Sequence, residues 1–374
     1  MTTKMAAPSS PILCMPFDRS TPYNDLPALP PAVELETKAV LKQVVTARTA
    51  LAELKGIARL LPNQGVLIQA VGLQEARISS EIENIVTTDD ALYRGFANDG
   101  EGSDPKTKEV LRYKDALWQG YQWVKRDDMP LTTRLFDTLY QVVKQADDGV
   151  RRLPGTRLAN PLGETIYTPP EGEQVLRSKL ADLERFVNEP SDLDPLVRLA
   201  VMHYQFEAIH PFPDGNGRVG RILNILYLIS EKLLDLPILY LSRYIIEHKA
   251  DYYRGLSAVT EEAQWEAWVL YMLRAVENTA RLTGERILAI LDLKLLAMAK
   301  AESVLPKVQV PAILDVVFRH PYCKVKFLEQ AGLGSRPTCT KYLRALVQAG
   351  LLREQAVWRE NYYINDAFFD ALVK

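Results

Sequence analysis

Apolar residues that recur every three or four positions dominate this 374-residue chain. That spacing places them on one face of an α-helix, which other helices must then cover. The stretch from 33 to 61 is typical, with Val40, Val44, Leu51 and Leu54 on one face. Further stretches of this kind follow at 65–98, 105–125, 131–148, 175–188, 194–209 and 243–303. The sequence therefore predicts a mainly α-helical protein.

Three segments interrupt the helical pattern. Residues 1–32 are rich in proline and serine, so we predict an extended Pro-rich arm with little order before Val33. In 153–177, glycines and prolines flank a β-prone stretch at Thr165–Thr168, which predicts a small β-hairpin flap. The sequence of 307–374 predicts helices, a turn and a tail of two short strands in which apolar and polar residues alternate. This is the order of a winged helix-turn-helix domain.

The length and these breaks predict several compact units. The predicted boundaries are an arm at 1–32, an N-terminal helical domain at 33–110, a central core at 111–260, connecting helices at 261–306 and a winged-helix-like domain at 307–374.

The charge balance limits the partners of the chain. With 45 basic and 47 acidic residues its net charge is close to zero, which argues against broad coating of nucleic acid. Residues 307–374 contain ten Lys or Arg against six Asp or Glu, so this segment alone is net basic.

Cysteine usage and the N-terminal sequence indicate a compartment. Cys14, Cys323 and Cys339 match neither a zinc-binding pattern nor a disulfide framework, which suits a reducing cytoplasm. The N-terminus lacks the apolar region of a signal peptide, and no run reaches the roughly 18 apolar residues that a membrane span needs. We expect a cytoplasmic protein without a membrane partner.

One twelve-residue stretch, HPFPDGNGRVGR from His210 to Arg221, has the composition of an anion-binding site. Its three glycines let backbone N–H groups turn toward a bound group. The helix that follows, predicted to start near Arg218, adds its unpaired N-terminal donors. Arg218 and Arg221 lie three residues apart on the first helical turn, where two guanidinium groups can hold neighbouring phosphates.

The same stretch carries groups for proton transfer and metal binding. His210, with an ordinary pKa of about 6.5, can remove a proton from an attacking hydroxyl at neutral pH. Asp214 would repel a phosphate unless a divalent cation bridged the two, which predicts Mg²⁺. Asn216 can donate to a further phosphate oxygen. Together these groups predict in-line transfer from a nucleoside triphosphate.

The stretch resembles the signature of the Fic family, His-x-Phe-x-(Asp or Glu)-Gly-Asn-Gly-Arg-x-x-Arg, at every fixed position. The likeness extends to GETIYTPP and to ILYLSRYIIEHKADYYRGL, and it covers most of 115–260. It implies a Fic catalytic core at 111–260, a helical bundle with a small β-hairpin flap. It also implies the usual reaction of the family, transfer of AMP from ATP to a protein hydroxyl with release of pyrophosphate.

The resemblance gives each motif residue a role. His210 is the general base, and Asp214 is the Mg²⁺ ligand. The segment from Gly215 to Gly217 forms the anion cradle. Arg218 and Arg221 clamp the phosphates, with Arg221 reaching the γ-phosphate.

The resemblance also implies an adenine site. Gln205, Leu241 and Tyr253 are expected to bind the nucleotide. Tyr240 and Tyr252 fall in the same region, and packing of these tyrosines in the core is an equal alternative. Phe212 is expected to anchor the motif loop in the core.

A flap that holds the target protein is implied in the hairpin. The stretch around Ile166 and Tyr167 would bind an acceptor segment by strand addition, which tolerates varied sequences.

A second stretch, RISSEIENIVTT, resembles the inhibitory pattern of the family, (Ser or Thr)-x-x-x-Glu-(Gly or Asn), at Ser79, Glu83 and Asn84. By this resemblance Glu83 pairs with Arg221 and takes the place of the γ-phosphate, so the enzyme is largely self-inhibited. The same carboxylate could orient water for the removal of AMP from a modified target.

Several alternatives stay open. Other members of the family transfer UMP, phosphocholine or phosphate, although the complete motif favours ATP. In a different class, the chain is a nucleotide-sensing transcription regulator that binds DNA with Arg336, Lys341 and Arg344 on or near a recognition helix. Self-modification and a homodimer are also open.

Overall fold

The computed structural model describes residues 17–60, 64–126, 128–305, 309–357 and 360–373. Within these ranges the chain forms fifteen helices and five short strands, which confirms the mainly α-helical fold class. Residues 1–16 of the predicted arm, including Cys14, lie outside the described residues.

Five helices form the N-terminal part of the chain: α1 (Lys38–Ala58), α2 (Gln64–Ile82), α3 (Asp89–Ala97), α4 (Pro105–Lys125) and α5 (Thr133–Lys144). The side chains of Thr37, Thr88 and Asp104 accept hydrogen bonds from backbone N–H groups in the first turns of α1, α3 and α4. The single helix predicted at 65–98 is two helices. Asn84 adopts a left-handed conformation with φ of 61°, which ends the first helix, and Thr88 caps the second.

The central part contains the hairpin and five helices: β1 (Leu158–Ala159), β2 (Thr165–Tyr167), α6 (Glu173–Asn188), α7 (Pro195–Ile209), α8 (Asn216–Ser230), α9 (Leu241–Glu247) and α10 (Lys249–Glu262). Helices α7 and α8 are buried on almost every side, between α2, α4, α5, α6, α9 and α11. The loop that joins these two core helices is the predicted motif.

A 40-residue helix, α11 (Trp265–Val304), is about 60 Å long and packs along α1. The stretch with helical periodicity at 243–303 therefore forms three helices, α9, α10 and α11. Ala263, with φ of 54°, ends α10. Among the described residues no helix is both long enough and apolar enough to cross a bilayer.

The C-terminal part consists of α12 (Val310–Val317), β3 (Tyr322–Cys323), α13 (Val325–Gln330), α14 (Arg336–Gln348), β4 (Arg353–Val357), β5 (Glu360–Ile364) and α15 (Asp366–Val373). The strands form an antiparallel sheet in the order β3-β5-β4. The two tail strands were expected from the sequence, whereas β3 and α15 were not. The winged-helix assignment of this unit stays a prediction.

The described part of the arm is ordered, so the expectation of little order before Val33 is wrong for residues 17–32. Leu26 and Leu29 are buried against the central helices. The backbone N–H of Leu29 donates to Asp182 at 2.8 Å, and the Lys179 ammonium donates to the Leu26 carbonyl at 2.6 Å. Proline removes helical structure from this segment, but its two leucines still gain from burial.

Candidate active site

The motif loop begins and ends with residues in the left-handed region. His210, the residue after α7, has φ of 48°, and Gly215, the residue before α8, has φ of 76°. Helix α8 therefore begins two residues earlier than predicted, at Asn216. A Cβ atom at Gly217 would collide with the end of the Glu83 side chain and lie 2.9 Å from Arg221 Nη1, so a larger residue there would displace this pair.

Core packing fixes the loop from the inside. Phe212 is fully buried and stacks on Tyr140, with ring centroids 4.4 Å apart, so it is the anchor that was predicted. Asn216 donates from Nδ2 to the Phe212 carbonyl and accepts from the Phe212 N–H through Oδ1, both at 2.8 Å. The Asn216 side chain therefore braces the loop internally, and its expected contact with a phosphate through its second N–H stays a prediction.

Arg151, which sequence reasoning missed, holds the loop from the other side. Its backbone N–H donates to the Pro211 carbonyl and its Nε to the His210 carbonyl, both at 2.8 Å. Its Nη2 donates to the Pro170 carbonyl beyond the hairpin. The guanidinium thus ties the loop to the base of the flap.

His210 is neutral at physiological pH in this environment. Burial lowers the pKa of His210 to about 4, and the nearby positive charge of Arg151 acts in the same direction. The Glu207 backbone, Glu83 and Asp214 oppose this lowering in part. A neutral imidazole can accept a proton, so the predicted base is in the correct protonation state.

Both predicted clamp arginines are buried and paired with carboxylates. Each side chain is 1% exposed. Arg218 Nη1 lies 2.6 Å from Glu109 Oε1, and Arg221 Nη2 lies 2.8 Å from Glu83 Oε1. The second pair is the contact that the inhibitory pattern implied.

Two residues at and just beyond the end of α2 contact Arg221. Ser79 accepts from Arg221 Nε with its hydroxyl at 2.8 Å and from Nη2 with its carbonyl at 2.9 Å. Glu83 follows the last turn of α2. Burial would raise the pKa of Glu83, but Arg221 holds it below the ordinary value. The Lys249 ammonium, 2.7 Å from the Ile82 carbonyl, fixes this end of the helix. The carboxylate facing Arg221 is therefore ionised.

Asp214 is paired with a lysine that the sequence did not single out. Asp214 Oδ2 lies 2.6 Å from Lys144 Nζ, at the end of α5. Lys144 Nζ also lies 3.0 Å from Glu109 Oε1, the atom that pairs with Arg218. Burial would raise the pKa of Asp214, but Lys144 lowers it below the ordinary value. Lys144 and Glu109 lie outside any motif, on helices remote in sequence, so no sequence signal could have found them.

The residues expected at the adenine site do not share one exposed surface. Tyr253 is 41% exposed, and its phenol is close enough to Glu83 and Arg221 to respond to their charges. Leu241, Tyr240 and Tyr252 are buried in the core. For the two tyrosines, core packing was the alternative to a place in the adenine site. Gln205 is also buried and donates to the Pro27 carbonyl of the arm at 2.9 Å.

The hairpin lies against the end of α7. Tyr167 donates from its hydroxyl to the Ala208 carbonyl at 2.8 Å, two residues before His210. Ile166 and Tyr167 are partly exposed. The arm extends this region, since the Tyr23 N–H donates to the Thr168 carbonyl at 3.0 Å and Phe17 stacks on Tyr167.

Three family models match the chain in succession. The Fic/DOC family N-terminal model covers residues 41–122 and the Fic/DOC family model covers residues 121–228. The model of the C-terminal domain of SoFic-like protein adenylyltransferases covers residues 296–368.

Curated relatives carry related names. Protein adenylyltransferase fic-1 of Caenorhabditis briggsae is 38% identical over 92 residues, which are 24% of this chain and 17% of the relative. The probable protein adenylyltransferase aq_aa38 of Aquifex aeolicus is 26% identical over 183 residues, 46% of this chain and 52% of the relative. The chain thus matches about half or less of the length of these relatives.

Solved structures share the fold. A Fic family protein from Desulfovibrio desulfuricans G20 superposes with a TM-score of 0.54 at 20% identity, covering 88% of this chain and 96% of that one. A Fic domain-containing signaling protein from Bacteroides thetaiotaomicron gives a TM-score of 0.51 at 18% identity, covering 64% and 97%.

Proposed function

We propose that this chain, which carries a Fic/DOC domain between Fic N-terminal and SoFic-like C-terminal domains, is a protein adenylyltransferase. It transfers AMP from ATP to a Tyr, Thr or Ser hydroxyl of a target protein and releases pyrophosphate. The names of the curated relatives support this proposal. The observation that carries it is the loop between α7 and α8, which combines a neutral histidine, a glycine-rich helix start and two buried arginines.

In the proposed reaction His210 accepts the proton of the acceptor hydroxyl, whose oxygen attacks the α-phosphorus of ATP. A bond forms between that oxygen and the α-phosphorus. The bond from the α-phosphorus to the oxygen bridging to the β-phosphate breaks, and pyrophosphate leaves with the electron pair. The N–H groups at the start of α8 and the guanidinium groups of Arg218 and Arg221 stabilise negative charge on the phosphates.

We also propose that Mg²⁺ binds with ATP at Asp214. The Asp214 side chain is 65% exposed beside the start of α8, so its carboxylate can reach a cation. In the part of the chain that the structure describes, no cluster of three acidic, histidine or cysteine side chains could hold a metal. A single carboxylate fits Mg²⁺, which keeps several waters and takes other ligands from phosphate oxygens. When bound, the cation would neutralise phosphate charge.

We infer that Glu83 and Ser79 inhibit the enzyme. Glu83 accepts a hydrogen bond from the Arg221 guanidinium, the group that would bind the γ-phosphate. ATP in a productive pose must therefore displace the Glu83 carboxylate. Acceptors would dock on β2. Because β1 pairs with one edge of β2, strand addition at Ile166 and Tyr167 would use the other edge. Self-modification requires only that the chain supply its own acceptor hydroxyl.

The test compares wild type, Glu83→Gly and Glu83→Gly/His210→Ala, each with Mg²⁺ and ATP labelled at the α- or γ-phosphate. Cell lysate supplies acceptors, and intact-protein mass detects self-modification. We expect α-label with the mass of one AMP, strongest in Glu83→Gly and lost with His210→Ala. Label from the γ-position would mean phosphate transfer, and transfer in no variant would refute the proposal. Loss of bound AMP only in the presence of Glu83 would indicate the reverse reaction.

A second role is proposed for the C-terminal unit. Arg336, Lys341 and Arg344 are exposed on α14, whereas Leu343 and Leu346 face its core. An exposed basic helix face of this kind suits contact with nucleic acid or an acidic protein surface. We also propose the cytoplasmic localisation that was predicted from the sequence.

A further inference from the structure

Lys144 contacts both carboxylates that flank the start of α8. Its ammonium lies 2.6 Å from Asp214 Oδ2 and 3.0 Å from Glu109 Oε1. The other oxygen of Asp214 accepts from the Gly215 N–H at 2.6 Å. Both oxygens of Asp214 are therefore engaged, and a cation that approaches this carboxylate must compete with the lysine for Oδ2.

The stem of Lys144 has a defined position beside the cradle. A Cβ atom at Gly215 would lie 3.2 Å from Lys144 Cδ and 3.3 Å from Cγ, so the glycine leaves room for this side chain. Arg112 donates to the Val143 carbonyl at 3.3 Å and to Gln145 Oε1 at 3.1 Å, which fixes the end of α5. The ammonium alone needs to move when its partners change.

We propose that Lys144 is a resident cation that competes with Mg²⁺ for Asp214 and, on metal binding, keeps its contact with Glu109. The inference rests on the proposed function, because it assumes that ATP and Mg²⁺ bind at this loop. Without metal, the ammonium offsets the repulsion between Asp214 and the phosphates. With metal, it retains an ionised partner at hydrogen-bond distance, so release of Asp214 leaves no unpaired charge.

Opposite effects on two affinities follow from this arrangement. Removal of the ammonium exposes the phosphates to Asp214, so metal-free ATP should bind more weakly. The same change frees Asp214 Oδ2, so ATP with Mg²⁺ should bind more tightly. The ratio of the dissociation constant without Mg²⁺ to that with Mg²⁺ should rise by at least about five-fold, the low end of ordinary coupling between two bound species.

The experiment measures ATP binding by calorimetry to the full chain carrying Glu83→Gly and His210→Ala, which opens the site and prevents turnover. Each variant is titrated in EDTA and in saturating Mg²⁺. Lys144→Met should raise the ratio, whereas Lys144→Arg should leave it close to the background value. Glu109→Gln should lower it, because the lysine then has only Asp214 as partner. Lys294→Met, which breaks the 2.5 Å pair with Asp315 in the C-terminal half, is the matched control and should change neither constant.

An unchanged ratio of the two dissociation constants in Lys144→Met would overturn the inference. If ATP also bound more weakly by the same factor in both buffers, the lysine would be a phosphate-binding or structural residue. Failure of the background itself to bind ATP in either buffer would refute the proposed function, and this inference with it.

Discussion

Replacement of Glu83 by glycine should activate the enzyme by an amount that the contact geometry sets. The carboxylate lies 2.8 Å from Arg221 Nη2, with the arginine 1% and the glutamate 34% exposed. Removing one partner of a fully buried pair costs about 3–5 kcal/mol, whereas an exposed pair contributes about 0–1 kcal/mol. For a pair with one member a third exposed we expect roughly 1–3 kcal/mol, scaled between these limits.

That energy corresponds to a rise of about 5- to 150-fold in the population that can bind ATP productively. The initial rate of α-label incorporation at saturating ATP and Mg²⁺ measures it. Glu81→Gly is the matched control, because Glu81 lies in the last turn of α2, two residues before Glu83. Glu81 pairs with Arg77 at 3.1 Å and makes no contact with Arg221 among the described ion pairs and hydrogen bonds. Its rate should stay near that of wild type.

Ser79→Ala should activate less than Glu83→Gly, because the Ser79 carbonyl and Glu83 still hold Arg221 after the hydroxyl is lost. A rate for Glu83→Gly within two-fold of wild type, in a protein whose activity still depends on His210, would refute the inhibitory role of the pair.

Three further outcomes are expected. Since burial lowers the pKa of His210 to about 4, the base stays unprotonated as pH falls from 8 to about 5.5, and kcat/KM should show no loss near pH 6.5 in Glu83→Gly. Gln205→Leu should destabilise the fold by about 1 kcal/mol in urea unfolding, through loss of the bond to Pro27, and leave the affinity for ATP unchanged; a weaker affinity would place Gln205 at the nucleotide. If the C-terminal unit binds DNA, retardation of duplex DNA should be salt-dependent and should weaken in Arg336→Glu/Lys341→Glu, while a protein that retards no DNA at low salt lacks this role.

The motif loop could be predicted in detail because its chemistry is local. Glycines and arginines within twelve residues define a helix start whose chemistry suits an anion, whatever surrounds it. The pattern at Ser79, Glu83 and Asn84 also predicted the contact between Glu83 and Arg221. The structure supplies the physical reason for its last position, where asparagine adopts the left-handed conformation that ends α2.

The sequence left alternatives open where a residue has two uses of similar energy. Asn216 can donate to a phosphate or to a carbonyl, and one of its two N–H groups donates to the Phe212 carbonyl at 2.8 Å. The tyrosines at 240 and 252 suit an adenine pocket or a core, and neighbouring helices bury them. The arm was predicted to have little order because proline excludes helix, yet Leu26 and Leu29 are buried and hydrogen-bonded to side chains of α6, a helix remote in sequence.

The sequence by itself determined the helical class and the groups that can hold phosphate, because periodicity and loop composition act over a few residues. Only the tertiary structure decided the charge state of the site. Glu83 follows the end of α2, and Glu109 and Lys144 come from α4 and α5. They meet Arg221, Arg218 and Asp214 because those helices pack around α8. Coulomb energy depends on distances between atoms in space, and separation along the chain does not encode those distances.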